Sequence, residues 1–298
     1  MEPAVATGPL GALSHDELGV IVDGLADPLQ PVVAVALSST CLGLRTPLCA
    51  ALELLKERHE RAVALCRKMH RPDEPCSCAL LRDANRLDWR GGGCTTDDMT
   101  TLGMILRANG LPQLEQLNLA GNYIGDAGMQ AICDGIGRGA APSLRWFALR
   151  ANEFGPVGAE ALAAALFRGA MPNLEMLLPI GNPIGNQGIA ALTASLRKMP
   201  KLWLLRLESC EIGDEGVASL FANLGKDDFK ALQELYLDFN EVSHKSCRTL
   251  VSVINEGGLP AFEEVEFVVV DDNPADAVRA GEIEMAVRDA LKARTGRE

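Results

Sequence analysis

Residues 114–128 read LEQLNLAGNYIGDAG, and their pattern returns four more times along the chain. LRWFALRANEFGPVG begins at Leu144, LEMLLPIGNPIGNQG at Leu174, LWLLRLESCEIGDEG at Leu202 and LQELYLDFNEVSHKS at Leu232. The ninth position holds Asn122, Asn152, Asn182, Cys210 and Asn240, so the steps are 30, 30, 28 and 30 residues. A second set keeps the same beat. Ile132, Leu162, Leu192, Leu220 and Leu250 are each followed, four residues on, by Ile136, Leu166, Leu196, Leu224 and Ile254. That i, i+4 spacing marks one apolar face of a helix. Backwards, Leu87, Trp89, Gly92, Cys94, Leu102 and Leu106 supply a degenerate first unit; forwards, Phe262, Val265 and Phe267 begin a last one. A fixed period of this length means stacked units rather than one closed globule.

The spacing within a unit predicts its shape. In L-x-x-L-x-L-x-x-N the last two leucines are two apart, so they share one side of a short strand, and the residues between them face the other. The Asn side chain then serves backbone groups where the chain leaves the strand. Glycines 125, 155, 185 and 213 suit the turn, and glycines 128, 158, 188 and 216 sit where space is tight. No unit buries its own apolar face, so the units stack into a curved α/β solenoid with a parallel sheet inside. Pro179 removes one ladder donor from a central strand and predicts a local irregularity there.

These units resemble the leucine-rich repeat family, in its long strand–helix form of the ribonuclease-inhibitor type, over roughly residues 80–297. The resemblance implies a horseshoe with a concave parallel sheet, convex helices and a protein partner on the concave face. The last unit departs from the pattern, with Val270 at the Asn position and three further residues before Asn273. Asn273-Pro274 reads as a helix start. Val278, Ile283, Val287 and Leu291 line one side of the segment 274–292, which is expected to cap the repeat domain 80–298.

Residues 1–79 lie outside the repeat and read as a helical N-terminal region. Ser14-His15-Asp16-Glu17 is a capping box before Leu18, Ile21, Val22 and Leu25. A long helical pattern runs from Pro47 to about His70. Residues 13–44 resemble an F-box, with Leu13, Glu17, Leu18, Ile21 and Leu25 at matching positions, Ser14 where that family has proline, and no tryptophan at the end. The resemblance implies binding of a ubiquitin-ligase adaptor through Leu13, Leu18, Ile21 and Leu25. The alternative is a helical cover over the first repeat.

Composition narrows the function. With 28 basic and 40 acidic residues the net charge is −12, which argues against nucleic acid and anionic membranes as partners. No stretch approaches a membrane span, and no basic n-region opens a secretory signal. Nine cysteines, an odd number in a chain with ample core, fit reduced thiols and an intracellular setting, the cytoplasm first with the nucleus left open. His59, Cys66, His70, Cys76 and Cys78 cluster in sequence but contain no C-x-x-C pair, so no metal is assigned. The Gly91–Gly93 run lacks a phosphate-loop lysine. No nucleophile–base pair stands out, so neither catalysis nor a cofactor is expected.

The register names the side chains that look out from the sheet. The first strands present Arg86, Asp88, Arg90, Gln116 and Asn118, and the last present Glu234, Asp238, Glu264 and Glu266. Between them Trp146, Met176, Leu178, Ile180 and Leu204 form an apolar group, ringed by Arg150, Arg206, Tyr236 and Phe239. Aromatic and arginine side chains around an apolar patch are the usual make-up of a protein-binding surface. The expected function is a non-enzymatic interaction module holding a protein of unknown identity on this face. The alternatives are a substrate receptor of a ubiquitin ligase and a small-GTPase regulator, some of which share the repeat type.

Overall fold

In a computed structural model, the described residues are 27–32, 35–36, 49–70, 77–108, 111–137, 141–225, 227–262, 264–266, 285, 287 and 289–293. The N-terminal part supplies α1 (Cys49–Lys68) and α2 (Cys78–Asp83). Strand and helix then alternate: β1 (Arg86–Asp88), α3 (Thr96–Arg107), β2 (Gln116–Asn118), α4 (Gly125–Gly135), β3 (Trp146–Ala148) and α5 (Pro156–Phe167). The series continues with β4 (Met176–Leu178), α6 (Gly185–Arg197), β5 (Leu204–Arg206), α7 (Asp214–Phe221), β6 (Glu234–Tyr236), α8 (His244–Asn255) and β7 (Glu264–Glu266). All seven strands pair in parallel, in chain order, as one sheet. The architecture is the α/β solenoid that the repeat predicts.

Leu87, Leu117, Phe147, Leu177, Leu205 and Leu235 pair across the sheet in one row, and all are buried. The next inward row is Trp89, Leu119, Leu149, Pro179, Leu207 and Leu237. The N–H groups of Trp89, Leu119, Leu149 and Leu207 each donate at 2.9 Å to the neighbouring strand. Pro179 has no N–H, so β4 and β5 pair over two residues where the other strands pair over three. The ladder resumes at once, with Gly181 N–H donating to Glu208 O at 2.8 Å. The proline shortens the ladder without breaking the stack.

Behind the strands runs a buried chain of asparagines. Asn152 Oδ1 accepts the Asn122 N–H at 3.1 Å, and Asn182 Oδ1 accepts the Asn152 N–H at 2.9 Å. Each Nδ2 donates backwards to carbonyls of its own and the preceding unit, as Asn152 does to Leu149 and Leu119. Fully buried amides are tolerated only when hydrogen-bonded in this way. In the fourth unit Cys210 stands in the series, and its Sγ reaches Pro179 O and Glu208 O at 3.4 Å. The Asn182 N–H there meets only the sulfur, a weak acceptor. Cys210→Asn is therefore expected to stabilise the chain by about 1 kcal/mol, the net worth of one good hydrogen bond. A chemical-denaturation midpoint equal to or below that of the parent would reject this.

Helix starts are tied to the preceding unit. Asp126 Oδ1 accepts the N–H groups of Gly155 and Gly158 at 2.7 Å, and Asn186 Oδ1 serves Gly213 and Gly216 at 2.8 and 3.0 Å. Asp214 takes Ser243 and Ser246 likewise. Burial raises the Asp214 carboxyl, but the bonds from Ser243 and Ser246 outweigh it and hold it below the ordinary value. A Cβ at Gly188 would lie 2.5 Å from Ile184 and 2.9 Å from Ala159, which explains glycine at that position of the repeat.

At the N-terminal end α1 packs on α3, and Lys68 pairs with Asp98. Leu29, Ala62, Leu65, Cys66 and Met69 belong to the same hydrophobic core as the repeats. At the other end Val287 and Leu291 are also buried in that core. Leu13, Leu18, Ile21 and Leu25, most of 13–44, and most of 274–292 lie outside the described residues. Among the described residues no helix is long and apolar enough to cross a membrane.

Candidate protein-binding face

Three rows of side chains cross the outer face of the sheet. The first runs Arg86, Gln116, Trp146, Met176, Leu204 and Glu234 in register, with Glu264 at the next position. The second holds Asp88, Asn118, Ala148 and Leu178, then Arg206 and Tyr236. Backbone bonds from the following residues fix the third row as Ala120, Arg150, Ile180, Glu208 and Asp238. The predicted site residues thus share one surface, because the period of the repeat and the alternation of the strand leave each only one side to face.

Their exposure is less uniform than the sequence suggests. Trp146, Met176, Leu178 and Ile180 are half-buried, while Arg150 is exposed. Leu204 is a correction: it stands in the predicted row but is only 9% exposed. Strands lie about 4.8 Å apart, and Leu204 is set between Met176 and Glu234 in this row. The open apolar surface is therefore Trp146, Met176, Leu178 and Ile180, with Leu204 as its floor.

The two flanks differ electrically. On the first strands Asn118 Nδ2 donates to Asp88 Oδ1 at 3.0 Å, and Arg86 pairs with Asp88 at 3.2 Å, so this corner is satisfied internally. On the later strands the Arg206 guanidinium lies 5.0 Å from the centre of the Tyr236 ring. It donates through Nε to Glu208 Oε1 at 2.7 Å. The Tyr236 hydroxyl donates to Glu234 Oε2 at 3.0 Å. Arg206 and Tyr236 are thus held in fixed poses, which lowers the entropy lost when a partner touches them.

Phe239 sits at the rim, 77% exposed, with φ at +58°. The same position holds glycine in three other units, Gly91, Gly121 and Gly181, also at positive φ. Ala151 and Ser209 take the same left-handed backbone at this position, so the turn belongs to the repeat, and Phe239 differs in leaving a large ring in solvent at the rim.

Burial pushes the Cys133 and Cys210 thiols up to about 12, so neither is a nucleophile at neutral pH. His59 Nδ1 lies 2.7 Å from Pro28 O, and Cys66 Sγ 3.9 Å from Cys78 Sγ. Among the described residues no three His, Cys, Asp or Glu side chains gather as metal ligands.

Two features escape a reading by repeat position, the closing-off of the outward Glu208 and the setting of Trp203. Glu208 is nearly closed off, and its Oε2 has no hydrogen-bond partner among the described residues. Trp203 lines a shallow depression of about 510 Å³ with Glu175, Lys201, Lys230 and Gln233. A tryptophan at the second position, where the other units have Glu, Arg or Gln, was the available signal for the latter.

A family model of the repeat agrees with this architecture. Residues 111–133 and 199–221 match the family model described as Leucine Rich repeat. No curated protein matches the chain significantly. Among solved structures, one similar chain comes from the crystal structure of a TLR13–ssRNA13 complex. It is 17% identical with a TM-score of 0.32, and the alignment covers 65% of this chain and 30% of that one.

Proposed function

We propose that this leucine-rich-repeat solenoid is a non-enzymatic module that binds a protein segment on its concave face, centred on β3, β4 and β5. The observation that carries the reading is the apolar opening at Trp146, Met176, Leu178 and Ile180, on a sheet whose other described outward positions, the buried Ala120, Ala148 and Leu204 apart, are polar, charged or the hydroxyl-bearing Tyr236. Leaving these four half-open costs burial that a partner restores, at about 25 cal/mol per Å² of apolar area covered. Trp146, Arg206 and Tyr236 are the residue types that most often dominate binding energy. Repeat folds of this kind typically serve as interaction scaffolds, and the acidic later strands are a poor match for a phosphate backbone.

The test is affinity purification with the full chain and with the Trp146→Asp/Leu178→Asp variant. Charges placed in the apolar opening are expected to lower partner recovery by about 100-fold, the equivalent of roughly 2.7 kcal/mol. Equal recovery by both proteins would refute the concave-face site. Ligase components among the proteins recovered would favour the substrate-receptor form of the module, and their loss on changing Leu18 and Ile21 to Asp would assign that role to residues 13–44.

A further inference from the structure

The acidic flank of the face contains a carboxylate that the chain's own contacts leave incomplete. Glu208 lies between Ile180 and Asp238 in the third row, and its side chain is 8% exposed. Both bonds from Arg206, through Nε and one terminal nitrogen, converge on Oε1. Oε2 is buried and receives no donor among the described residues. The Arg206 guanidinium lies over the Tyr236 ring, 5.0 Å from its centre, and leaves Oε2 unserved. Asp238, next in the row, is half-buried and adds a second negative charge. A buried carboxylate oxygen without a donor is costly, and a neighbouring like charge adds to the cost. The cost falls when a cationic donor arrives from outside.

The opposite side of Glu208 is apolar. Ile180 and, one row over, Leu178 are half-buried aliphatic side chains suited to the methylene stem of a long basic residue. Arg206 neutralises only one of the three carboxylates Glu208, Glu234 and Asp238, so the flank stays negative. Glu264 and Glu266 occupy the next register positions. Arg150, exposed two units earlier in the same row, sets the opposite sign on the other side of the apolar opening.

We propose that the concave face reads a lysine or arginine on its protein partner, with the stem on Ile180 and Leu178 and the cationic head at Asp238, the Glu208 side chain turning its Oε2 outward to meet it. This rests on the concave-face reading and gives it a partner class: a segment with an apolar anchor followed by a basic residue. The charge gradient fixes the direction, with the basic end of the segment toward β6 and β7.

A random-peptide display library, selected on the full chain, tests both levels. The expected consensus is a basic residue beside aliphatic or aromatic ones. Glu208→Gln keeps the side-chain volume and an acceptor for Arg206. It is expected to weaken a selected peptide by about tenfold or more, as is Asp238→Asn, with the parent affinity falling at high salt. Thermal melts of both variants confirm that the fold is kept. Peptides without a basic residue, or ones indifferent to Glu208→Gln, would overturn the cation site while leaving the concave face standing if Leu178→Asp still abolishes their binding. Peptides indifferent to Leu178→Asp, or no enrichment at all, would overturn both.

Discussion

Asn240→Ala is expected to destabilise the chain by about 4–6 kcal/mol, and more than the same change at Asn152. Both amides are buried, but their neighbours differ in redundancy. Asn240 Oδ1 accepts two backbone N–H groups, from Cys210 at 2.9 Å and Ile212 at 3.0 Å. Its Nδ2 serves Leu207 O and Leu237 O at 2.7 and 2.9 Å. Among the described residues, removing the amide strands four backbone groups, and each buried unpaired group costs about 1–3 kcal/mol, less whatever water recovers. At Asn152 the carbonyls of Leu119 and Leu149 are shared with the Nδ2 groups of Asn122 and Asn182. Only the Asn122 N–H is orphaned there, so about 2–3 kcal/mol is expected. Because stability in a solenoid is local, hydrogen exchange is the sharper readout. Asn240→Ala should release protection in β6 and α8 first. Equal losses at the two sites would mean that sharing of carbonyls does not protect the ladder.

How much of this was legible in the sequence depends on how far each effect reaches. The strand positions, the inward rows and the asparagine series follow from spacing alone, since each unit repeats one local solution. Pro179 was legible for the same reason: a proline in a ladder position removes a known bond. The burial of Leu204 was not legible, because an outward position says which way a side chain points and not how far its neighbours in adjacent units close over it. Glu208 was hidden more deeply. Its outward position was readable, but the orphaned Oε2 depends on which carboxylate oxygen the two Arg206 nitrogens take, which no repeat pattern records. The site is therefore half a sequence property, in the rows, and half a packing property, in which side chains the rows close over.

Gly135→Ala is expected to be among the most damaging small substitutions in the chain, at about 3 kcal/mol or more. Gly135 ends α4, and a Cβ there would lie 2.3 Å from both Cα and C of Gly103 in α3 and 2.6 Å from its oxygen. Those neighbours are backbone, so no rotamer change gives relief, and α3 and α4 must move apart. The reverse change is milder. A Cβ at Gly103 meets Ala131 O at 3.0 Å and Gly135 Cα at 3.1 Å, distances that a shift of a few tenths of an ångström would ease. Alanine also gains about 1 kcal/mol of helix propensity over glycine in that helix interior. Gly137→Ala, where a Cβ meets nothing within 4 Å, is the control and should be near neutral. The ordering Gly135 far above Gly103, with Gly137 near zero, is checked by melting temperature. The effect should also reach the concave face. Helices usually pack 8–10 Å apart against about 4.8 Å for strands, and this mismatch bends the solenoid. The glycine contact lets α3 and α4 close in, which works against that bend between β1 and β2. Prising the pair apart should tighten curvature at that end and shift Arg86 and Gln116 relative to Trp146. A Gly135→Ala protein with unchanged melting temperature and unchanged hydrogen exchange in α3 and α4 would show that the close contact sets neither stability nor curvature.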